Sequence, residues 1–494
     1  MVRIVLLLTL IGFGCARKTK TPADVLIVGL GAQPATLDPR YATDANGMRI
    51  SGLIFESLVH PGEGFKPAPE AAVSWQHTPR VYTFKLRPDL RFHNGRLVTA
   101  EDIIFSFDYY RSDKSPFGSS LGIIKKVTAK EKSRQLSVRI ELKHDSDKFL
   151  MSDLPAVKIL PHQEITQSEE NFSQKLIGTG PFQFEKIDLN EIRLSRFTAI
   201  LPRLKFKIIR DDFTRFQKLM RGEVDMVIND IPQDKIADFK KQPDKFQVLI
   251  YPGLNMTYLL INFKDELLKQ LPVRRALAQT LRREEIITYK LNGLAQPATS
   301  LLTPRNPYFN SQLKNPAFDL EAAQAVINSL PHDRRRLVLK TSNSPQAIDN
   351  GKVLANQIGE SGLKIDLESY EWGTFYGDVK KGAFQLATMK WVSNVDPDIY
   401  RSAFHSQERP PGRNRGHYLN PRVDQLLNRG STTENLTERK KVFFDVQKII
   451  QADLAVIPLW YEDQVVIMNQ SVVDFKPSLT SDFLPLAKVQ KREL

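Results

Sequence analysis

Apolar and polar positions along this chain repeat with two different periods, so strands and helices are both expected. Residues 25–31 form a short apolar run of strand type. A turn follows at Thr36-Leu37-Asp38-Pro39, and residues 47–58 carry helical spacing through Met48, Ile50, Ile54, Phe55 and Leu58. Residues 81–86 alternate with period two, as a half-buried strand does. Asn94-Gly95 marks a hairpin, and Thr99 with Asp102 three residues on makes a capping pair before a helix from Ile103. Gly178-Thr179-Gly180-Pro181-Phe182 separates segments. Beyond it the spacing predicts helices over 213–219, 273–291, 318–330 and 442–452. Strands are expected at 226–228, 338–340, 365–367 and 456–460. Helices and strands are mixed, which points to α/β lobes.

The leader changes this picture from fold to location. Met1 to Cys15 reads MVRIVLLLTLIGFGC, with Arg3 before an apolar run of about ten residues. That run is too short to span hydrocarbon roughly 30 Å thick, so a secretory signal is expected rather than a membrane helix. Cys15 is the only cysteine in 494 residues. The segment resembles a lipoprotein signal in which Cys15 is lipidated and becomes the mature N-terminus, although Gly12 stands where Leu is usual. The alternative is an ordinary signal peptide. Residues 1–14 are thus read as signal peptide and 15–24 as a polar tether. Either reading takes the protein out of the cytoplasm, which sets aside ATP- and nicotinamide-driven chemistry.

About 480 residues remain, more than one hydrophobic core usually holds, so two or three domains are expected. Without a second cysteine they must be held by burial alone. The net charge is +14, but the basic residues are scattered and their densest clusters are short, as at Arg334-Arg335-Arg336. There is no zinc knuckle and no basic stretch interleaved with stacking aromatics, so no nucleic-acid partner is expected. Gly118-Ser119-Ser120-Leu121-Gly122 matches a hydrolase nucleophile elbow, but a polar loop precedes it where a strand is required. Gly29-Leu30-Gly31 opens like a dinucleotide fingerprint and fails at Pro34. None of the eight histidines forms a metal-binding HExxH pair; His405 and His417 could meet only in three dimensions. No cofactor and no catalytic set is therefore expected. Trp372 and Trp391 stand beside turn-forming polar residues and suit the lining of a cleft, whereas Trp460 lies in an apolar strand and suits a core.

Taken in order, several stretches resemble the bacterial extracellular solute-binding proteins of family 5, the dipeptide and oligopeptide class of ABC importers. They are PATLDP from Pro34, FESLV from Phe55, PAPEAAVSW from Pro67 and YTFKLRPDLRFHNGRLVTAEDIIFS from Tyr82. GTGPF from Gly178, RGEVD from Arg221, VRRALAQTLRREEI from Val273 and NGLAQPA from Asn292 follow. Trp391 with VDPD, YLNPRVDQLL from Tyr418 and IPLW from Ile457 complete the series. The resemblance implies a periplasmic-binding-protein-like α/β fold with two hinged lobes and an extra domain on the first lobe. The expected division is 25–55, 177–255 and 463–494 for lobe I, 56–176 for the extra domain, and 256–462 for lobe II.

The resemblance also implies a monomer that captures a peptide or similar small polar solute and delivers it to an ABC-transporter permease. Asp44, Ala45 and Asn46 match the segment lining the cleft beside the first lobe. In peptide-binding relatives an aspartate three residues after the tryptophan holds the peptide ammonium; here that position is Asn394, next to Ser393. The loop that can offer an aromatic hydroxyl is Ser115-Pro116-Phe117, and Phe117 has none. Asp44 would be a substitute anchor if it faces inward. Family members also bind sugars, chelated nickel, haem and cell-wall peptides. Two other readings stand beside transport: an envelope scaffold or chaperone with a degenerate cleft, and an exported serine hydrolase using Ser120.

Overall fold

The computed structural model describes residues 21–494 apart from 79, 133, 144–145, 147–148, 198–202, 393–394, 411, 434 and 493–494. The leader and Cys15 therefore lie outside the described residues, as do Ser393 and Asn394. Among the described residues no helix is long and apolar enough to cross a membrane.

An 11-stranded sheet runs through the molecule. In one half, the wholly buried strand Val25–Leu30 lies parallel to Arg203–Ile208 on one side and Met226–Ile228 on the other. A strand buried on both faces needs no polar alternation, which is why it reads as a continuous apolar run. In the other half, Arg336–Ser342 lies parallel to Lys364–Tyr370 and Leu386–Trp391. Two long antiparallel strands, Phe246–Ile261 and Val456–Asn469, belong to both halves and join them. Their register shifts between Pro252 and Asn255. Pro252 has no N–H to give the ladder, so the irregularity falls where the chain can tolerate it.

Each half is covered on both faces. One core gathers Leu26, Val28, Phe206 and Met226 with the four-stranded sheet around Val81–Leu86, and another packs Ile27, Val227 and Ile467 against Phe239. In the second half, Tyr258, Val423 and Phe443 form one core and Leu259, Leu277 and Trp460 another. The four-stranded sheet and the helix Ala100–Arg111 make the extra layer on the first lobe. The fold is thus the expected α/β pair of lobes, and Trp460 is core.

Local signals account for several elements. Thr99 caps Ala100–Arg111 through a full capping box with Asp102. At Asn94-Gly95 the chain reverses tightly, with Gly95 at φ +87° and the Phe92 N–H donating to the Arg96 carbonyl at 2.9 Å. The GTGPF stretch packs so closely on the end of helix Ala45–Ile54 that a Cβ on Gly178 or Gly180 would overlap the backbone carbonyls of Ile54 and Leu53. In return the Gly180 N–H donates to the Ile54 carbonyl at 2.8 Å, satisfying a helix-end acceptor.

Two expectations need correction. The helix expected over 273–291 is broken: Leu271–Gln279 stops, and Arg283–Glu285 with Ile286–Lys290 resumes after Arg282. The Gln279 carbonyl is taken by the Asp319 N–H and the Arg282 N–H by Gln357, both at 3.0 Å, so tertiary partners replace the helical ladder. The strand expected at 456–460 instead runs on to Asn469, straight through Glu462-Asp463-Gln464.

Candidate functional site

The two long strands form the floor of a cleft of about 650 Å³ between the lobes. Its first wall includes Arg49 on helix Ala45–Ile54 and the loop around Asp230; its second includes Lys290, Asp349 and Lys390. Asn255, Glu462 and Asp463 lie at the junction, where the strand register shifts. This explains the polar interruption of an otherwise buried strand: Glu462 and Asp463 are half-exposed to the cleft while Val465, Val466 and Ile467 return to the core.

Two ion pairs in the cleft are closed within the protein. Lys390 Nζ lies 2.6 Å from Glu462 Oε2, and Thr257 donates to Glu462 Oε1 at 2.9 Å. Lys290 pairs with Asp349 at 3.0 Å. Asp230 accepts from the Gly31 N–H at 2.8 Å, and buried Arg215 donates to the carbonyls of Asp230 and Ile209. Two half-buried charges of the lining make neither a side-chain hydrogen bond nor an ion pair among the described residues: Arg49 and Asp463. The Arg49 guanidinium sits 5.7 Å from the centre of the Phe483 ring. Burial pulls its pKa down, opposed by Asp230 and Asp482, which lie near it without closing an ion pair. Burial alone pushes the Asp463 carboxyl up.

The residues singled out from sequence are distributed differently. Asp44 is the N-cap of helix Ala45–Ile54: its carboxylate accepts from the Gly47 N–H at 2.8 Å and the Ala35 N–H at 3.1 Å. Ala45 is exposed, and Asn46 donates to the Ala32 carbonyl at 2.8 Å. Phe117 packs on Tyr110 at 5.8 Å, against the core of the extra domain. Trp391 ends its strand stacked on Tyr258, 6.1 Å between centroids and 8° from parallel. Trp372 is 55% exposed and stacks on Tyr376, whose hydroxyl accepts from Arg415 at 2.6 Å. Trp391, Tyr258 and Arg415 wall one small cavity, so the two tryptophans are brought to one side of lobe II through Tyr376 and Arg415.

Neither chemical motif gains a site. Gly118–Leu121 forms a four-residue helix preceded by helix Ala100–Arg111 and a turn, not by the strand a nucleophile elbow needs. His405 is buried between Asn428 and the Gln407 N–H. Among the described residues no group of three or more His, Cys, Asp and Glu is placed to hold a metal.

Sequence reasoning missed Arg49 and Asp463. The available signal was a polar triplet inside a strand and an arginine on an apolar helix, and both resemble ordinary surface positions until the lobes are assembled.

Comparison with known proteins agrees with this architecture. Residues 66–410 match the model described as bacterial extracellular solute-binding proteins, family 5 Middle. The chain is similar to di/tripeptide-binding protein 3 of Pseudomonas aeruginosa, 24% identical over 90% of this chain and 91% of that protein. Among solved structures it is similar to AppA from Bacillus subtilis in complex with a nonapeptide, with TM-score 0.84, 21% identity, and 95% and 99% of the two chains covered. It is also similar to NikZ from Campylobacter jejuni in complex with Ni(L-His), with TM-score 0.83, 24% identity, and 95% and 100% covered.

Proposed function

Because the chain belongs to the bacterial extracellular solute-binding proteins of family 5, we propose that it captures a short peptide or similar small polar solute and delivers it to the permease of an ABC importer. The observation that carries this reading is the cleft of about 650 Å³ on the two strands shared by the lobes, lined by charged groups from both sides. Such a floor lets the lobes close over a solute and bury it. The relatives support the ligand class: one is named for di- and tripeptides, one holds a nonapeptide, and one holds a histidine chelate of nickel. Lobe I is taken as 25–55, 177–255 and 463–494, its extra domain as 56–176, and lobe II as 256–462. Trp372 and Trp391 are assigned to the side of lobe II that closes on the ligand, and Ser393 and Asn394, which follow Trp391 in sequence, to contact with it.

Native purification followed by denaturation tests the reading. Mass spectrometry should find a small amino-acid-derived solute, and adding it back to refolded protein should raise the melting temperature. Release of no solute, together with stable retention of one protein partner, would favour a scaffold instead. The same reading holds the protein to a membrane as a monomer through lipid on Cys15. Cys15→Ser should then move it from the membrane fraction to the soluble one, and unchanged partition would remove the anchor.

A further inference from the structure

We propose that Asp463 and Arg49 form a two-pole dock on lobe I for a dipolar solute, one bearing both a cation and an anion, and that this dock is loaded before lobe II closes. The proposal rests on the reading of the cleft as a solute site and adds which charges read the solute and in what order.

The argument starts from what the cleft leaves unpaired. Lys390 with Glu462 and Lys290 with Asp349 are neutralised within the protein, so they offer an incoming ligand little net charge. Asp230 is held by a backbone N–H and Arg215 by backbone carbonyls. Asp463 and Arg49 are half-buried in the same cleft, opposite in sign, and their side chains make neither a hydrogen bond nor an ion pair among the described residues. A half-desolvated charge without a partner is unfavourable, and an opposite charge brought by a ligand relieves it. An ammonium suits Asp463. A carboxylate suits Arg49, whose planar fork can hold both oxygens.

Their placement sets the order. Asp463 is the first residue of its strand past the register shift and pairs with Pro252, on the half that continues into the lobe I core at Val465 and Ile467. Its N–H donates at 3.1 Å to the carbonyl of Leu294, a residue within the span taken as lobe II whose side chain nevertheless packs in that same lobe I core. Arg49 stands on the lobe I helix Ala45–Ile54, backed by Phe483, which stacks on Phe206 of the same lobe. Both poles therefore belong to one body, and their separation does not depend on closure. A solute can satisfy both while the cleft is open. Lobe II then supplies side chains whose charges are already balanced. Asp44 lies outside the lining of this cleft, and each of its oxygens already accepts from a backbone N–H.

The test uses the full-length mature protein and three peptide libraries of two to four residues: free termini, N-acetylated, and C-amidated. Affinities of hits are measured by calorimetry for the wild type, Asp463→Asn, Arg49→Gln and Arg49→Lys, with each variant's melting temperature as the folding control. In the wild type each blocking group should weaken binding about ten- to a hundredfold, the scale of one charge-assisted hydrogen bond. Asp463→Asn should abolish the discrimination against N-acetylation only, and Arg49→Gln that against C-amidation only. Arg49→Lys should keep part of the second, which separates lost charge from lost folding. In stopped-flow fluorescence both neutral variants should weaken the fast, concentration-dependent phase and leave the later closing rate unchanged. Peptides that bind equally free and blocked, or a discrimination untouched by the variants, would overturn the dock and leave the peptide reading intact. If no peptide binds but a co-purified solute does, the peptide reading fails. The dock then survives only if that solute is dipolar and loses affinity in both neutral variants.

Discussion

Gly253 lies against the backbone of Glu462 so closely that a Cβ would overlap the Glu462 carbonyl oxygen. This contact sits at the register shift of the two shared strands, on the floor of the cleft. A backbone atom held in a sheet cannot move aside as a side-chain tip can. Gly253→Ala should therefore lower stability by about 1–3 kcal/mol, the usual range for overpacking. Chemical denaturation checks it, and an unchanged midpoint would show that the strands relax at this point without loss.

His93 should make the protein sensitive to mild acid. Its ring is buried, Nδ1 accepts from the Gly178 N–H at 3.2 Å, and Nε2 can then donate to the Gly180 carbonyl at 3.0 Å. Burial holds its pKa down at about 4, against an ordinary value of 6.5, so the native ring stays neutral where the unfolded ring is already charged. The unfolded state then binds more protons between those values, and stability falls as pH drops through that window. The loss approaches about 1.4 kcal/mol per pH unit, roughly 3 kcal/mol in all. Stability curves at several pH values should show this slope reduced in His93→Gln. An identical slope in the variant would assign the acid sensitivity to other groups.

The tryptophans should separate by solvent exposure. Trp372 is 55% exposed and Trp460 only 1%. Acrylamide should quench the emission of Trp372 first, and Trp372→Phe should remove most of the quenchable component. Trp391, stacked on Tyr258, should carry the ligand-induced spectral shift, which should fade in Trp391→Phe. Full retention of the shift would place the responding indole elsewhere.

Asp44→Ala should cost about 1 kcal/mol, the worth of a helix N-cap. Asp44→Asn should cost much less, because Asn caps nearly as well. Equilibrium unfolding of the two variants gives the comparison. Neither should change the preference for free over N-acetylated peptides; a selective loss of free-amine binding in Asp44→Asn would return the cation site to that residue.

What could be read from sequence was what neighbours along the chain decide. The continuous apolar run of Val25–Leu30, the alternation of Val81–Leu86 and the capping box at Thr99 and Asp102 depend on contacts within a few residues, so their signals were complete. The ordered series of family motifs likewise carried the α/β two-lobed fold. The motif glycines Gly178 and Gly180 prove to serve close packing on a helix end.

The rest depended on residues far apart in sequence. The helix expected over 273–291 is broken by partners at Asp319 and Gln357, which no periodicity near residue 280 reveals. Asp44 offered the same carboxylate in sequence as Asp463. Only the folded chain commits one to backbone donors and leaves the other facing the cleft. Whether a charge is spent on structure or left for a ligand depends on which donors and acceptors reach it. For Arg49 and Asp463, those neighbours are set by how the two lobes meet along Phe246–Ile261 and Val456–Asn469. Local sequence set only those elements held by near neighbours, such as Val81–Leu86 and the capped helix Ala100–Arg111, and the long-range pairing of those two strands placed the site.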